Sequence, residues 1–297
     1  MKPNRFSYHA PSTVDEAVAL LAGYGEDGKV LAGGQSLLPL MNFRMAAPEH
    51  LVDINRLPDL DRPRRTATGW HFPALVRQRT VERSAEVARD LPLLTTALTH
   101  VAHPQIRNRG TICGSLAHAD PAAELPAVMT ALGARMHVRS ARGEREVPAA
   151  EFFLFHLTSA LEPDELLTGV SVDDLAAGTG TAFREFATRR GDFALAAVAA
   201  VVVRDDTGTV TGCRLVAAGV GATPVRLSGA ERAATGGRLE PAALAAVEDA
   251  ARRETDPLGD LHAGAGQRRR LVGVLARRAL DDLVDQVDRV DLREDAA

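Results

Sequence analysis

Two glycine-bearing stretches constrain this chain more than any other feature. The first, LAGGQSLLPLMNFR at residues 31–44, carries a short apolar run (KVLAG) out through Gly33 and Gly34. The second, NRGTICGSLAHADPAAELP at residues 108–126, contains Gly110 and Gly114. Glycine at a strand exit lets the backbone turn sharply and lets another group approach it closely. Consecutive amides in such a turn converge on an anion, and Gln35, Ser36, Thr111 and Ser115 place polar side chains beside them. Two such loops facing each other can clamp both phosphates of a dinucleotide; the same residues read equally as two tight turns. Neither stretch fits G-x-G-x-x-G or G-x-x-x-x-G-K-[ST], which argues against the Rossmann and P-loop arrangements.

The remaining composition narrows the chemistry. A chain of 297 residues holds two or three compact units. Aromatic residues make up only 4%, so the core is mostly aliphatic. A net charge of −4 gives the whole chain no strong attraction to nucleic acid or an anionic membrane. The cluster Arg268–Arg270 reads as a solvated helix end. Cys113 and Cys213 are the only cysteines, with no CxxC and no Cys/His group at metal spacing. An iron–sulfur cluster takes four ligands, so this chain is not expected to carry one alone, and no metal ligand is assigned. There is no leader-like apolar segment and no run long enough to span a membrane, so a cytoplasmic setting is expected.

Along the chain, PSTVDEAVALLAGYG reads as a first helix. Ser12 and Thr13 stand three residues before Asp15 and Glu16, a capping-box pattern. HLVDI at 50–54 reads as a strand. TVERSAEVARDLPLLTTALTHV has a helical period, and a further helix is expected from about Ala122 to Leu132. GDFALAAVAAVVV is apolar throughout and does not distinguish strand from helix. Helices are expected at 228–235, 240–254 and 266–287. The expected divisions are 1–56, 57–174 and 175–297, the last boundary falling near the polar, glycine-bearing SVDDLAAGTGT.

Three motifs in order, AGGQSLLPLMNFRMAAPEHLVDIN, RNRGTICGSLAHADPAAELPAV and REFATRRGDFALAAVAA, resemble the FAD-binding medium subunit of molybdenum hydroxylases, the xanthine dehydrogenase and carbon monoxide dehydrogenase group. The resemblance spans nearly the whole chain. It implies an α+β fold of the vanillyl-alcohol-oxidase type, with two α/β subdomains holding FAD and a C-terminal domain of a three-stranded antiparallel sheet and a helical bundle. It implies FAD contacts at Ala32, Gly33, Gly34, Gln35, Ser36 and Leu37, and at Thr111, Ile112, Gly114 and Ser115. Glu124 would face the ribityl or ribose region, Leu167 would lie beside the flavin ring, and Arg184 falls where relatives often carry a lysine near the cofactor.

The implied function is electron transfer inside a larger oxidoreductase. A large molybdopterin subunit hydroxylates the organic substrate, a small subunit carries two [2Fe–2S] clusters, and FAD passes electrons to a terminal acceptor, in a dimer of heterotrimers. No residue of this chain is expected to act as an acid or base on the organic substrate. A solitary FAD-dependent oxidase or dehydrogenase is the alternative. Relatives read T-I-G-G-N where this chain has Thr111-Ile112-Cys113-Gly114-Ser115. If Cys113 had to adopt positive φ, its side chain would cost about 1 kcal/mol or more. Trp70 and His118 read as structural residues, and Asp192 as a turn cap.

Overall fold

The structure, a computed structural model, describes residues 1–294, with side chains to Val284. The elements in chain order are β1 (Ser7–His9), α1 (Val14–Tyr24), β2 (Gly28–Leu31), α2 (Leu37–Asn42), β3 (His50–Asp53), β4 (Arg64–Arg65), β5 (Gly69–Pro73), α3 (Gln78–Glu82), α4 (Ala85–Asp90), α5 (Pro92–Leu98), α6 (Pro104–Arg107), α7 (Ile112–His118) and α8 (Glu124–Leu132). They continue with β6 (Arg135–Ser140), β7 (Gly143–Pro148), α9 (Ala149–Phe152), β8 (Phe153–Phe155), β9 (Thr158–Ser159), β10 (Leu166–Asp173), β11 (Thr179–Ala187), β12 (Ala194–Arg204), β13 (Val210–Ala218), β14 (Val225–Arg226), α10 (Ser228–Ala234), α11 (Pro241–Arg253) and α12 (Ala265–Glu294). The chain divides into two compact units, 1–84 with 103–120 and 133–174, and 85–102 with 121–132 and 175–297.

In the first unit, α1 starts where the sequence pattern places it. Thr13 is the N-cap and accepts from the Glu16 amide at 3.1 Å, while Glu16 reaches back to the Ser12 amide at 2.7 Å. The first bond satisfies one of the helix's orphan donors, and the second fixes the residue that precedes the cap. Ala17, Val18 and Leu21 then pack on Val52, Ile54, Leu57, Ala74, Leu75 and Leu166. The helix covers a parallel three-stranded sheet ordered β1-β3-β2, and β2 delivers the chain to the first glycine loop. A five-stranded antiparallel sheet, β4-β5-β10-β6-β7, completes the unit. Trp70, only 3% exposed, stacks on Phe72, so its role is packing as expected.

In the second unit, the apolar run after Gly191 resolves as a strand. Every residue of β12 from Ala194 to Val202 is buried. The sheet β11-β12-β13 is antiparallel, and two-residue β14 extends the expected three strands at one edge. Helix α12 packs on β11 and β12, while α8 packs on β12 and β13. Ala196, Val198, Ala200 and Val202 share one core with α10, α11 and α12. With helices on both faces, neither side of β12 needs polar residues, which erases the alternation that marks a half-exposed strand. The helical period over residues 80–101 breaks into α3, α4 and α5, with Pro92 in the first turn of α5, where a missing N–H costs nothing.

The basic cluster at the start of α12 corrects the sequence reading. Arg268 is only 6% exposed. Its guanidinium donates to the Leu195 carbonyl at 2.7 Å and the Gly219 carbonyl at 3.0 Å, and pairs with Asp260 at 2.7 Å. It ties α12 to the ends of two sheet strands. Replacing it leaves those carbonyls without a donor. Arg268→Leu is expected to destabilise the chain by roughly 2–4 kcal/mol, read as a lower denaturant midpoint in the full-length protein. Arg270→Leu, two residues after Arg268 and exposed, serves as the control and should shift the midpoint little.

Candidate cofactor site

The two glycine stretches meet in the first unit. At Gly33 a Cβ would stand 2.3 Å from the Arg109 carbonyl oxygen and 2.8 Å from the Gly110 Cα. Both are backbone atoms that cannot swing aside, so only glycine fits between the loops. The group whose close approach requires a glycine here is the backbone of the second loop. Gly34 answers a different need, with φ at +71°, a region that costs an L-residue about 1 kcal/mol. Its missing Cβ would meet only the flexible ends of Leu38 and Leu31, at 3.0 and 3.2 Å.

The first loop keeps its amides free. The Ala32 carbonyl accepts from Asn55 Nδ2 at 2.8 Å. A trans peptide is planar, with C=O and N–H opposed, so this bond turns the Gly33 N–H away from Asn55. The Gln35 side chain donates to the Gly33 carbonyl at 3.0 Å, spending its NH₂ locally. Among the described residues the amides of Gly33, Gly34, Gln35, Ser36 and Leu37 find no protein acceptor, and the first helical bond runs from the Leu38 amide to the Gly34 carbonyl at 3.1 Å. The Ser36 side chain does not cap α2.

The second loop is pinned by the segment leading into α3. The Gln78 amide donates to the Gly110 carbonyl at 2.9 Å, and the Ile112 amide to the Val76 carbonyl at 3.1 Å. Thr111 then caps α7, its hydroxyl accepting from the Gly114 amide at 2.9 Å. A Cβ on Gly114 would lie 2.6 Å from that hydroxyl, so glycine here protects the cap. Thr111 and Cys113 are buried, yet their amides also find no protein acceptor. Ile112 is fully buried and its amide is already bonded, so it serves the core behind the loop.

Cys113 lies inside α7 and is not among the residues at positive φ, so the strain envisaged from the sequence does not arise. Its sulfur faces the Phe72 carbonyl at 3.5 Å, and burial pushes its thiol pKa well above the ordinary value. His118 stands in the last turn of α7, and burial, the largest influence, lowers its pKa. Leu167 is 4% exposed on β10, the strand against which α7 packs.

The two other expected contacts belong to the second unit. Glu124 is buried in the first turn of α8. Arg184 is engaged by Asp282 of α12, its Nε lying 2.6 Å from Oδ2 and its Nη2 reaching the second oxygen. This bidentate pair ties β11 to α12.

Sequence reading missed the groups that hold the loops. Asn55 Oδ1 accepts from Arg77 at 2.6 Å, and Arg77 also donates to the Arg109 carbonyl at 2.6 Å. Asp53 accepts from both the amide and the side chain of Asn55, and from the Tyr8 hydroxyl at 2.6 Å. Burial alone would raise the Asp53 pKa; these hydrogen bonds outweigh it and hold the carboxyl below its usual value. Neither VDIN nor LVRQRT carries a local signal for these roles, because the carbonyls that Asn55 and Arg77 join come together only in the fold.

The chain that carries this pair of loops is similar to known proteins. Residues 4–173 match the FAD binding domain in molybdopterin dehydrogenase, and residues 181–283 match the CO dehydrogenase flavoprotein C-terminal domain. The chain belongs to this FAD-binding family. It is similar to the 6-hydroxypseudooxynicotine dehydrogenase complex subunit alpha of Paenarthrobacter nicotinovorans, at 42% identity over 94% of this chain and 95% of the relative. It is 40% identical to the carbon monoxide dehydrogenase medium chain of Hydrogenophaga pseudoflava, over 95% and 98% of the two chains. A structure of that organism's enzyme lacking the Mo-pyranopterin moiety superposes with a TM-score of 0.92, at 41% identity over 95% of this chain and 98% of that one. The chain is thus the FAD subunit of a molybdenum hydroxylase, an oxidoreductase. The residues present fit the cofactor: unpaired amides on two loops in backbone contact form a cradle for an anionic diphosphate.

Two outcomes follow. Gly33→Ala is expected to abolish measurable FAD binding and to lower stability as well, because the loops must part; Gly34→Ala should cost about 1 kcal/mol and keep binding. Flavin titration and denaturant unfolding of the two apoproteins separate these effects. Cysteine reactivity gives the second outcome. Burial, with Glu231 contributing, pushes Cys213 up to about 12, and Cys113 is raised further. A raised pKa means that the thiolate appears only above that pH, so both thiols remain protonated at pH 8. Neither should react with iodoacetamide in the native protein, whereas both should react once it is unfolded in denaturant, as counted by mass spectrometry.

Proposed function

We propose that this chain works in a dimer of heterotrimers, beside a small subunit holding two [2Fe–2S] clusters and a large molybdopterin subunit, in the cytoplasm. Bound FAD supplies the redox chemistry that takes electrons from the partner's clusters to a terminal acceptor. The observation that carries the reading is the set of amides at residues 33–37, 111 and 113, all without a protein acceptor, on two loops in backbone contact.

The chain's own part is to bind and orient. The amides face the diphosphate, with Ser36 and Ser115 adding hydroxyls. Glu124 is assigned to the ribityl or ribose region and Leu167 to the side of the flavin ring. Arg184, held by Asp282, is assigned to the framework of the second unit. Both cysteines are free, Cys113 buried and Cys213 half-buried, and two cysteines are too few to ligate a cluster, which supports placing the clusters in a partner. Among the described residues no helix is long and apolar enough to cross a membrane.

Flavin release and rapid-mixing absorbance test the proposal. Denaturing the purified chain should release FAD into the supernatant; flavin remaining with the precipitate would show a covalent link. Flavin bleaching by the organic substrate should require the cluster and molybdopterin subunits. Bleaching of the isolated chain by such a substrate, at a catalytically useful rate, would overturn the assignment in favour of a solitary oxidase or dehydrogenase.

A further inference from the structure

We infer that Arg77 and Asn55 are positioning residues for the dinucleotide, setting the separation of the two glycine loops and placing behind them a guanidinium with no carboxylate in direct contact. The inference rests on the FAD reading of the loops and adds residues that lie outside both.

Asn55 and Arg77 form one hydrogen-bonded bridge. It starts at the Ala32 carbonyl of the first loop, passes through Asn55 and the Arg77 guanidinium, and ends on the Arg109 carbonyl of the second. Arg109 is also the carbonyl that lies against Gly33. Arg77 therefore holds the very oxygen that limits how closely the loops approach. Asn55, by fixing the Ala32 carbonyl, fixes the direction of the Gly33 N–H through the planar peptide between them. Asn55 is itself oriented by Asp53 at 2.6 Å, so the bridge is braced from the end of β3.

Charge points the same way. Arg77 is half-buried, and among the described residues no carboxylate lies within salt-bridge distance of it; its donors go to a carbonyl and an amide oxygen. Burial is the largest influence opposing the Arg77 charge and Arg109 adds to it, outweighing the support that Asp53 and Asp61 give without touching the guanidinium. A half-buried guanidinium beside a second cation, with only neutral oxygens as partners, is an unfavourable arrangement on its own. A diphosphate seated on the loops would supply the missing negative charge. Arginine suits the position because its planar fork bonds two acceptors at once, which a lysine ammonium does not do in fixed geometry.

The test uses the full-length chain stripped of flavin, titrated with FAD and with ADP at several salt concentrations. Arg77→Gln should weaken both ligands by roughly tenfold or more and flatten the salt dependence, since one cation near the phosphates is gone. Arg77→Lys should keep the salt dependence of the wild type while losing part of the affinity, because charge survives and the fork does not. Asn55→Ala should weaken both ligands with the salt dependence unchanged. The salt profile is a readout that a merely structural role would leave alone. Wild-type affinity in Arg77→Gln and Asn55→Ala, or a wild-type salt profile in Arg77→Gln, would overturn the inference. Should Arg77→Gln fail to fold, wild-type affinity in Arg77→Lys overturns it instead. A wild-type chain that binds neither FAD nor ADP would defeat the FAD reading itself, a result distinct from failure of the bridge.

Discussion

The contact between Gly33 and the Arg109 carbonyl is the constraint on which the rest of the site depends. A Cβ at that point would sit 2.3 Å from a backbone oxygen, well inside any tolerable van der Waals distance. The two loops must therefore arrive at this spacing before any ligand does. Each is delivered by a separate device: the first by β2 of the parallel sheet, the second by bonds from the Val76–Gln78 backbone to residues 110 and 112. Preorganisation of this kind matters for an anion cradle, because amides held in place beforehand need no reorganisation when the charge enters.

Much of the fold was legible where a residue type answers a local requirement. The α1 cap, the aliphatic stripe behind it and the three C-terminal helices follow from capping chemistry and helical period. Other elements were hidden because tertiary packing overrode the local pattern. Strand β12 lost its alternation once both faces were covered, and α7 was invisible because a helix of seven residues, interrupted by Gly114 and Ser115, carries too little period to register. Arg268 looked like a solvated charge because burial is a property of the assembled sheet and helix, and no local signal announces it.

The candidate site divides in the same way. Gly33, Gly34, Thr111 and Gly114 stood out because glycine and a cap residue are conspicuous in sequence, although the loop that packs on Gly33 could not be read there. Its neighbour across the gap lies 76 positions further along the chain, and that approach exists only in three dimensions. Asn55 and Arg77 carry no local signature either. Their meaning comes from the two carbonyls they join, so no reading of VDIN or LVRQRT alone would select them.

Cys113 shows how burial and redox function bear on each other. A thiol within the cofactor motif invites a redox role, yet attack and oxidation both proceed through the thiolate. Desolvation is the cause that raises the Cys113 pKa, and the sulfur's near neighbour is a backbone carbonyl, which offers no stabilisation to a negative charge. The same packing that lets α7 start tightly at Thr111 thus keeps the thiol in its unreactive form. A subunit whose task is to relay electrons gains from this arrangement, because a thiol within the cofactor motif does not compete with the cofactor for them. The position can depart from the family's glycine because the helix, unlike a left-handed turn, accepts any L-residue whose side chain points into the core.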